Sequence, residues 1–210
     1  MREIGTQLIP DEWVDQAVIR WKNLNQEDLK GRVFIGIDTS FYHKENTILK
    51  MIDGVVTEII QADFASDKQV TEWILSHIPK DRPYFIAIDV TAHGKAIYSE
   101  LKNRDIKCSD VHFSSRYNMD EDEKYLNFRT FAWFLLKKFL DPQNSRTIAI
   151  PEDQKLIEEL KIVQWYKDKN QYIRLQNTED IYKALQRTLS LSKALVLAVI
   201  ILDSFTKDKK

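Results

Sequence analysis

The sequence is poor in residues that join or cross-link separate modules. It contains one cysteine, Cys108, so an internal disulfide is excluded and a reducing compartment is expected. Five glycines and five prolines in 210 residues leave little material for flexible linkers. We therefore predict a lead-in segment over residues 1–30, followed by one domain over residues 31–210.

Long apolar runs are also lacking. A bilayer-spanning helix needs about 20 apolar residues, and the longest run here covers only residues 194–202, which predicts a buried helix instead. The first residues lack the apolar stretch of a signal peptide. Together these features predict a cytoplasmic protein that has no membrane partner.

No excess of one charge sign is present. The 31 basic residues are matched by 32 acidic ones, which gives a net charge of -1. A domain built to bind nucleic acid is usually markedly basic, so any contact with DNA must come from a local patch. The sequence also has no Gly-x-x-x-x-Gly-Lys loop, which excludes an ATP-driven motor within this chain.

What the sequence does contain is a succession of strand and helix patterns. Three strand-like segments follow one another directly, and Asp53-Gly54 between the last two favours a tight type I′ turn. Helices and strands then alternate, which implies parallel crossovers. The predicted strands cover 32–38, 47–52, 55–63, 84–89 and 109–113, and a hairpin covers 162–175. A helix is predicted to start at Pro10 and Asp11 in an amphipathic lead-in over 10–30, further helices cover 67–78, 95–103, 121–140, 152–160 and 189–205, and Thr178 caps a short helix. This order predicts a ribonuclease-H-like α/β fold, with a central mixed five-stranded sheet flanked by helices and a C-terminal hairpin and helix.

Asp38 and Asp89 are the most informative residues, because each directly follows an apolar strand. If these strands are parallel neighbours, both carboxylates emerge at the carboxyl edge of the sheet, where open α/β sheets place their sites. Two such carboxylates repel each other, and a hard divalent cation relieves the repulsion. An aspartate after a strand can also simply cap a turn. The pair therefore indicates a metal site more strongly than either residue alone.

The order and spacing of several segments resemble the nuclease domain of the large terminase subunit of tailed bacteriophages. The resemblance covers nearly the whole chain and is carried by residues 8–14, by Gly36-Ile37-Asp38-Thr39-Ser40, by residues 88–94, by residues 125–133 and by residues 175–180. It implies a metal-dependent endonuclease from a phage or prophage that hydrolyses duplex DNA with little sequence preference. It also implies Mg²⁺ or Mn²⁺ as cofactor, held by Asp38 and Asp89.

The resemblance implies partners as well. These are double-stranded DNA, a terminase ATPase domain or separate chain, the portal and the small terminase subunit, all in the host cytoplasm. The ATPase part would be carried by another chain or by another part of the same protein.

One position departs from the family pattern. The family has a third aspartate at the start of its last helix, and the corresponding residue here is Lys193. Three explanations stay open: Lys193 neutralises the acidic pair and the domain is inactive, Lys193 assists a single metal as a positioned cation, or another acid such as Asp180 or Asp203 completes the site. Catalytic roles are accordingly expected for Asp38, Asp89 and Lys193.

Further residues are candidates for contact with DNA. A rim near the site is expected to include Arg116, Lys124 and Arg129, and a second rim lies on the predicted hairpin, with Lys167, Lys169 and Arg174. Two loop histidines close to the acidic pair, His43 and His93, are candidate metal or phosphate contacts. Two other functions remain as alternatives: a non-catalytic nuclease-like module that docks in the packaging complex, and another ribonuclease-H-like nuclease such as a junction resolvase.

Overall fold

A five-stranded mixed sheet forms the centre of the protein. The computed structural model describes residues 5–39, 45–91, 94–117 and 124–207. The strands of this sheet are β2 (Val33–Asp38), β3 (Asn46–Ile52), β4 (Val55–Ala62), β5 (Tyr84–Asp89) and β6 (Cys108–Val111). Their order is β4-β3-β2-β5-β6, in which β2 pairs antiparallel with β3 and parallel with β5. This arrangement confirms the predicted ribonuclease-H-like sheet.

The turn between β3 and β4 is the one that Asp53-Gly54 predicts. Both residues have positive φ, 52° for Asp53 and 82° for Gly54. A type I′ turn requires this conformation at both central positions, and glycine adopts it without strain. The local sequence therefore specifies the hairpin.

Seven helices of the described residues surround the sheet. They are α1 (Asp11–Lys22), α2 (Asp67–Ser76), α3 (Gly94–Asn103), α4 (Phe128–Leu140), α5 (Gln154–Ile162), α6 (Thr178–Leu185) and α7 (Ser190–Lys207). Helix α7 lies across β2, β3 and β5 on one face, and α4 and α5 pack against it. Helices α2 and α3 cover the opposite face. Helix α1 and the buried residues Leu8 and Ile9 of the lead-in segment also pack on the α7 face.

Helix α7 approaches the sheet closely because of one glycine. A Cβ atom on Gly36 would lie 1.8 Å from the carbonyl oxygen of Ala194, which is far inside contact distance. Only a residue without a side chain fits there, so Gly36 in β2 sets the depth at which α7 rests.

No helix within the described ranges is long and apolar enough to traverse a membrane.

A small second sheet lies beside the helices. Strands β7 (Gln164–Lys167) and β8 (Ile173–Leu175) form the predicted antiparallel hairpin, and β1 (Thr6–Gln7) pairs with β7. The two-residue strand β1 is too short to produce a recognisable sequence pattern. Strand β7 is thus the central strand of a three-stranded sheet.

Helix α4 begins later than the sequence suggested. A helix was expected over 121–140, of which residues 121–123 lie outside the described residues. Helix α4 starts at Phe128, where the side chain of Asn127 accepts a hydrogen bond from the Thr130 N–H at 3.0 Å. The residues before it run alongside β8: Ile173 N–H donates to the Lys124 carbonyl at 2.8 Å, and Leu126 N–H donates to the Ile173 carbonyl at 3.0 Å. Their backbone groups are committed to β8, which prevents helix formation there.

Candidate active site

Asp38 and Asp89 end two neighbouring parallel strands at the same level. Ile37 pairs with Ile88, so the next residue on each strand is one of the aspartates. Neighbouring strands are about 4.8 Å apart, and side chains at equal positions point to the same face. Ala87, two residues before Asp89, and Phe34, four residues before Asp38, both lie in the core under α7. Both carboxylates therefore belong to the α7 face.

Asp38 is the buried member of the pair, with 1% of its surface exposed. Burial raises the pKa of its carboxyl from the ordinary 3.8 to about 6, Lys193 lowers it in opposition, and Asp89 raises it further. Its Oδ1 lies 3.6 Å from the Lys193 ammonium. Its Oδ2 is buried and has no hydrogen-bond partner among the described residues. One carboxylate oxygen thus faces a cation and the other is left unsatisfied.

Asp89 is more open and holds the turn that follows β5. Its Oδ1 accepts hydrogen bonds from the Thr91 N–H, at 3.0 Å, and from the Thr91 hydroxyl. This contact is the turn-capping role that an aspartate after a strand often takes. A Cβ atom on Gly94 would lie 1.7 Å from the Asp89 carbonyl oxygen, so the chain can turn this sharply into α3 only with glycine there. The turn fixes Asp89 beside Asp38.

The start of α7 is anchored by three side chains from two other parts of the chain. Glu159 of α5 accepts hydrogen bonds from the Ser192 N–H at 2.8 Å and the Ser192 hydroxyl at 2.9 Å. Glu45 accepts from the Thr188 N–H at 3.2 Å and the Thr188 hydroxyl at 2.6 Å. In addition, the Thr47 hydroxyl of β3 donates to the Ser190 hydroxyl at 3.1 Å. These bonds fix the turn of α7 that carries Lys193.

Glu159 is an acid that the sequence did not single out. It is 1% exposed, and burial raises the pKa of its carboxyl to about 7, while the Ser192 hydrogen bonds and Arg187 lower it. Glu45 raises the pKa of Asp38, and Asp38 in turn raises the pKa of Glu159. Neither glutamate has a local sequence signal, because their partners lie 33 and 143 residues away in the chain.

The oxygens at this edge suit a hard divalent cation. Asp38 Oδ2 and the Thr39 hydroxyl are both buried without hydrogen-bond partners in the described ranges, and Asp89 stands beside them. Mg²⁺ commonly binds through one or two carboxylates and keeps several waters, so two aspartates are sufficient. The described residues contain no group of three or more His, Cys, Asp or Glu placed to hold a metal. Asp38 Oδ2, the Thr39 hydroxyl and Asp89 could hold one ion, while Asp38 Oδ1 faces Lys193.

The other predicted site residues fall into separate places. Lys167 and Lys169 are exposed on the β7–β8 hairpin, where Arg174 forms an ion pair with Asp168 at 2.6 Å. Arg116 is exposed after β6.

Arg129 differs from them, because one of its guanidinium nitrogens is buried without a partner in the described part of the chain, and burial lowers its pKa to about 10. Arg129 is therefore partly buried, whereas Lys167, Lys169 and Arg116 are exposed. Asp180 and Asp203 lie on α6 and toward the far end of α7, where Asp203 pairs with Lys207 at 2.7 Å. The two histidines, His43 and His93, lie outside the described residues.

A ribonuclease-H-like sheet with an acidic pair at its carboxyl edge defines a class of folds. Comparison with solved structures shows which members of that class this chain resembles. The chain is similar to a variant nuclease domain of the large terminase subunit of bacterial virus Sf6, with manganese and β-thujaplicinol, at a TM-score of 0.76 and 16% identity, covering 92% of this chain and 98% of that one. A second structure of the Sf6 nuclease domain gives a TM-score of 0.70 at 15% identity, covering 92% and 98%. The large terminase nuclease from thermophilic phage G20c with bound magnesium gives 0.57 at 15% identity, covering 80% of each chain.

The chain therefore has the fold of phage large-terminase nuclease domains. No protein-family model matches the sequence, and no curated protein matches it either. Solved structures with this fold contain divalent metals, namely manganese, magnesium and cobalt.

Proposed function

We propose that this chain is the metal-dependent endonuclease domain of a phage DNA-packaging terminase and that it hydrolyses duplex DNA with low sequence specificity. The observation that carries the proposal is the pair of aspartates at one level of two parallel strands, in which Asp38 has a buried oxygen without a partner among the described residues. This donor set matches the preference of Mg²⁺ and Mn²⁺ for oxygen ligands.

In this proposal the two aspartates have different tasks. Asp38 presents its unsatisfied Oδ2 from a rigid, buried position, and Asp89 contributes from the open turn that Thr91 holds. A divalent ion bound there supplies an activated water and charge stabilisation for phosphodiester hydrolysis. Lys193, 3.6 Å from Asp38, adds a positive charge beside the site that offsets the two carboxylates and attracts a DNA phosphate.

Low sequence specificity follows from the nature of the proposed contacts. Cations on the hairpin, Lys167 and Lys169, and Arg116 after β6 are suited to phosphates, which carry no sequence information. The proposal also includes a terminase ATPase domain or chain, the portal and the small terminase subunit as partners in the host cell. Such partners fit a nuclease that has no phosphate-binding motor loop of its own.

A second candidate is favoured by the same lysine. The Lys193 ammonium sits beside Asp38, where it provides the positive charge that a metal would otherwise bring. In that case the chain is a catalytically silent nuclease-like module with a docking role in the packaging complex. The two candidates differ in whether a metal binds beside Lys193 or whether Lys193 takes the place of the metal.

Nicking of supercoiled plasmid in Mn²⁺ distinguishes the candidates. An active nuclease nicks the plasmid as wild type and loses the activity in Asp38→Asn, while the control Asp63→Asn, which changes an exposed aspartate outside the site, stays active. A silent module leaves the plasmid intact as wild type and gains activity in Lys193→Asp. Equal nicking by wild type and Asp38→Asn overturns the metal-nuclease proposal, and a preference for four-way junctions over linear duplex indicates a resolvase.

A further inference from the structure

A cavity of about 400 Å³ opens next to the acidic pair, between α6 and the start of α7. Its volume is in the range of pockets that bind small ligands or ligand groups. Lys193 lines this cavity and also contacts Asp38 at 3.6 Å, so one side chain joins the cavity to the candidate metal site. A group held in the cavity would lie next to the atoms where cleavage is proposed.

The lining of the cavity combines cations, an aromatic ring and an apolar surface. Lys183 and Tyr182 of α6 are exposed, with Tyr182 at 38% exposure, and Ile181 and Leu189 supply buried apolar atoms. The hydroxyls of Thr178 and Thr188 complete the lining together with Glu179 and Arg187, and Arg187 is already paired with Glu158 at 3.0 Å. Lys183 is exposed, and the side chain of Lys193, which pairs with Asp38 at 3.6 Å, is 26% exposed, so both cations can reach a ligand in the cavity.

This combination is the chemistry that recognises a single nucleic-acid strand. Bases stack on aromatic side chains without regard to sequence, and lysines neutralise the phosphates beside them. Bases inside a duplex are stacked and paired, so a base enters a cavity of about 400 Å³ only after it has left the duplex. We propose that the cavity binds a nucleotide of the DNA strand next to the cleavage point, with its base against Tyr182 and its phosphate near Lys183 and Lys193.

This inference rests on the proposed function, because it assigns the cavity to the same DNA strand. It adds that the strand is held locally apart from its complement beside the acidic pair. A requirement for strand separation gives the chain a preference for DNA that is already single-stranded or frayed, with little dependence on base sequence.

Binding of a fluorescein-labelled 12-nucleotide oligothymidine to the full chain in EDTA tests the inference by fluorescence anisotropy. Tyr182→Ala and Lys183→Glu are each expected to weaken binding roughly tenfold. The control Lys68→Glu makes the same charge change on the exposed surface of α2, on the opposite face of the sheet, and is expected to change binding less than twofold. All three variants alter exposed side chains, and a melting temperature within a few degrees of wild type verifies that they fold.

Two results overturn the inference: no change in either cavity variant, or an equal loss in Lys68→Glu, which would make the effect one of overall charge. Failure of wild type to bind the oligonucleotide overturns it as well. These readouts contain no metal and no cleavage, so they are independent of the plasmid assay. If the chain does not nick plasmid but binds the oligonucleotide through Tyr182, the cavity inference stands and the nuclease proposal fails. If the chain nicks plasmid and the cavity variants bind normally, the nuclease proposal stands and the cavity inference fails.

Discussion

The two faces of the central sheet are covered by different kinds of surface. Helices α2 and α3 pack on aliphatic residues such as Ile35 and Ile88, and among the described residues no charged side chain is buried on this face. On the α7 face, buried polar groups including Asp38, Thr47 and Glu159 interrupt the apolar packing. Buried charges destabilise a fold unless they are paired. The comparison therefore indicates that the α2 and α3 face stabilises the fold, whereas the α7 face carries the candidate site at some cost in stability.

The largest expected effect concerns the depth of α7 on its face. Gly36→Ala places a methyl group 1.8 Å from the Ala194 carbonyl, which is backbone and cannot rotate away. We expect a loss of about 3 kcal/mol or more in the free energy of unfolding, measured by urea denaturation. Gly31→Ala is the control, because the atoms it would meet belong to the movable Asp53 carboxylate, and it should cost roughly 1 kcal/mol. Similar losses in both variants would show that α7 can shift.

The pH dependence of stability is the next largest effect. The raised pKa of Asp38, from 3.8 to about 6, means that the folded chain binds more protons than the unfolded chain between these values. The contribution of Asp38 therefore makes stability fall as pH rises from about 4 to about 6, by at most about 3 kcal/mol, and then level off. In EDTA, Asp38→Asn should remove this part of the slope, leaving the contribution of Glu159 between pH 4.5 and about 7.

The control for this prediction is Asp63→Asn, which should follow the wild-type curve across the same range. Melting temperatures at half-unit pH intervals provide the measurement. Parallel curves for wild type and Asp38→Asn would contradict a strongly raised pKa at Asp38.

The smallest expected effect is the difference in stability loss between two Ser→Ala substitutions, one on each face of the sheet. Ser192→Ala on α7 removes a hydroxyl that donates to the buried Glu159 carboxyl at 2.9 Å. Above about pH 8, where that carboxyl is ionised, the hydrogen bond is one to a charged group and contributes about 1.5–3 kcal/mol. Ser66→Ala on α2 removes an exposed helix cap, whose side chain accepts from the Gln69 N–H at 3.4 Å, and should cost about 1 kcal/mol or less. Chemical denaturation of both variants tests the order. A larger loss for Ser66→Ala would argue against a polar network that supports the site.

Features with a local pattern were predictable from the sequence. The strand order followed from apolar runs and crossovers, and the level placement of Asp38 and Asp89 followed from the parallel pairing of their strands. The resemblance, rather than periodicity, directed attention to Lys193. The predicted start of α4 was wrong although Asn127 is a good capping residue. The polar segment before Asn127 favours a helix by its sequence, and the pairing of that segment with β8 is a long-range contact.

The anchoring of α7 could not be predicted for the same reason. Glu45 and Glu159 meet the start of α7 only after the chain has folded, and neither stands in a pattern that marks it. The cavity between α6 and α7 depends on the packing angle of two helices, which sequence periodicity does not determine.

Binding of Mn²⁺ to the metal-free chain tests the central claim most directly. Titration followed by isothermal calorimetry, or by the loss of the electron paramagnetic resonance signal of free Mn²⁺, should show one ion per chain for wild type and for Asp63→Asn. Asp38→Asn should show none, because it removes the buried oxygen that the ion requires. Absence of binding to wild type, or unchanged binding in Asp38→Asn, would contradict a metal site at this edge of the sheet.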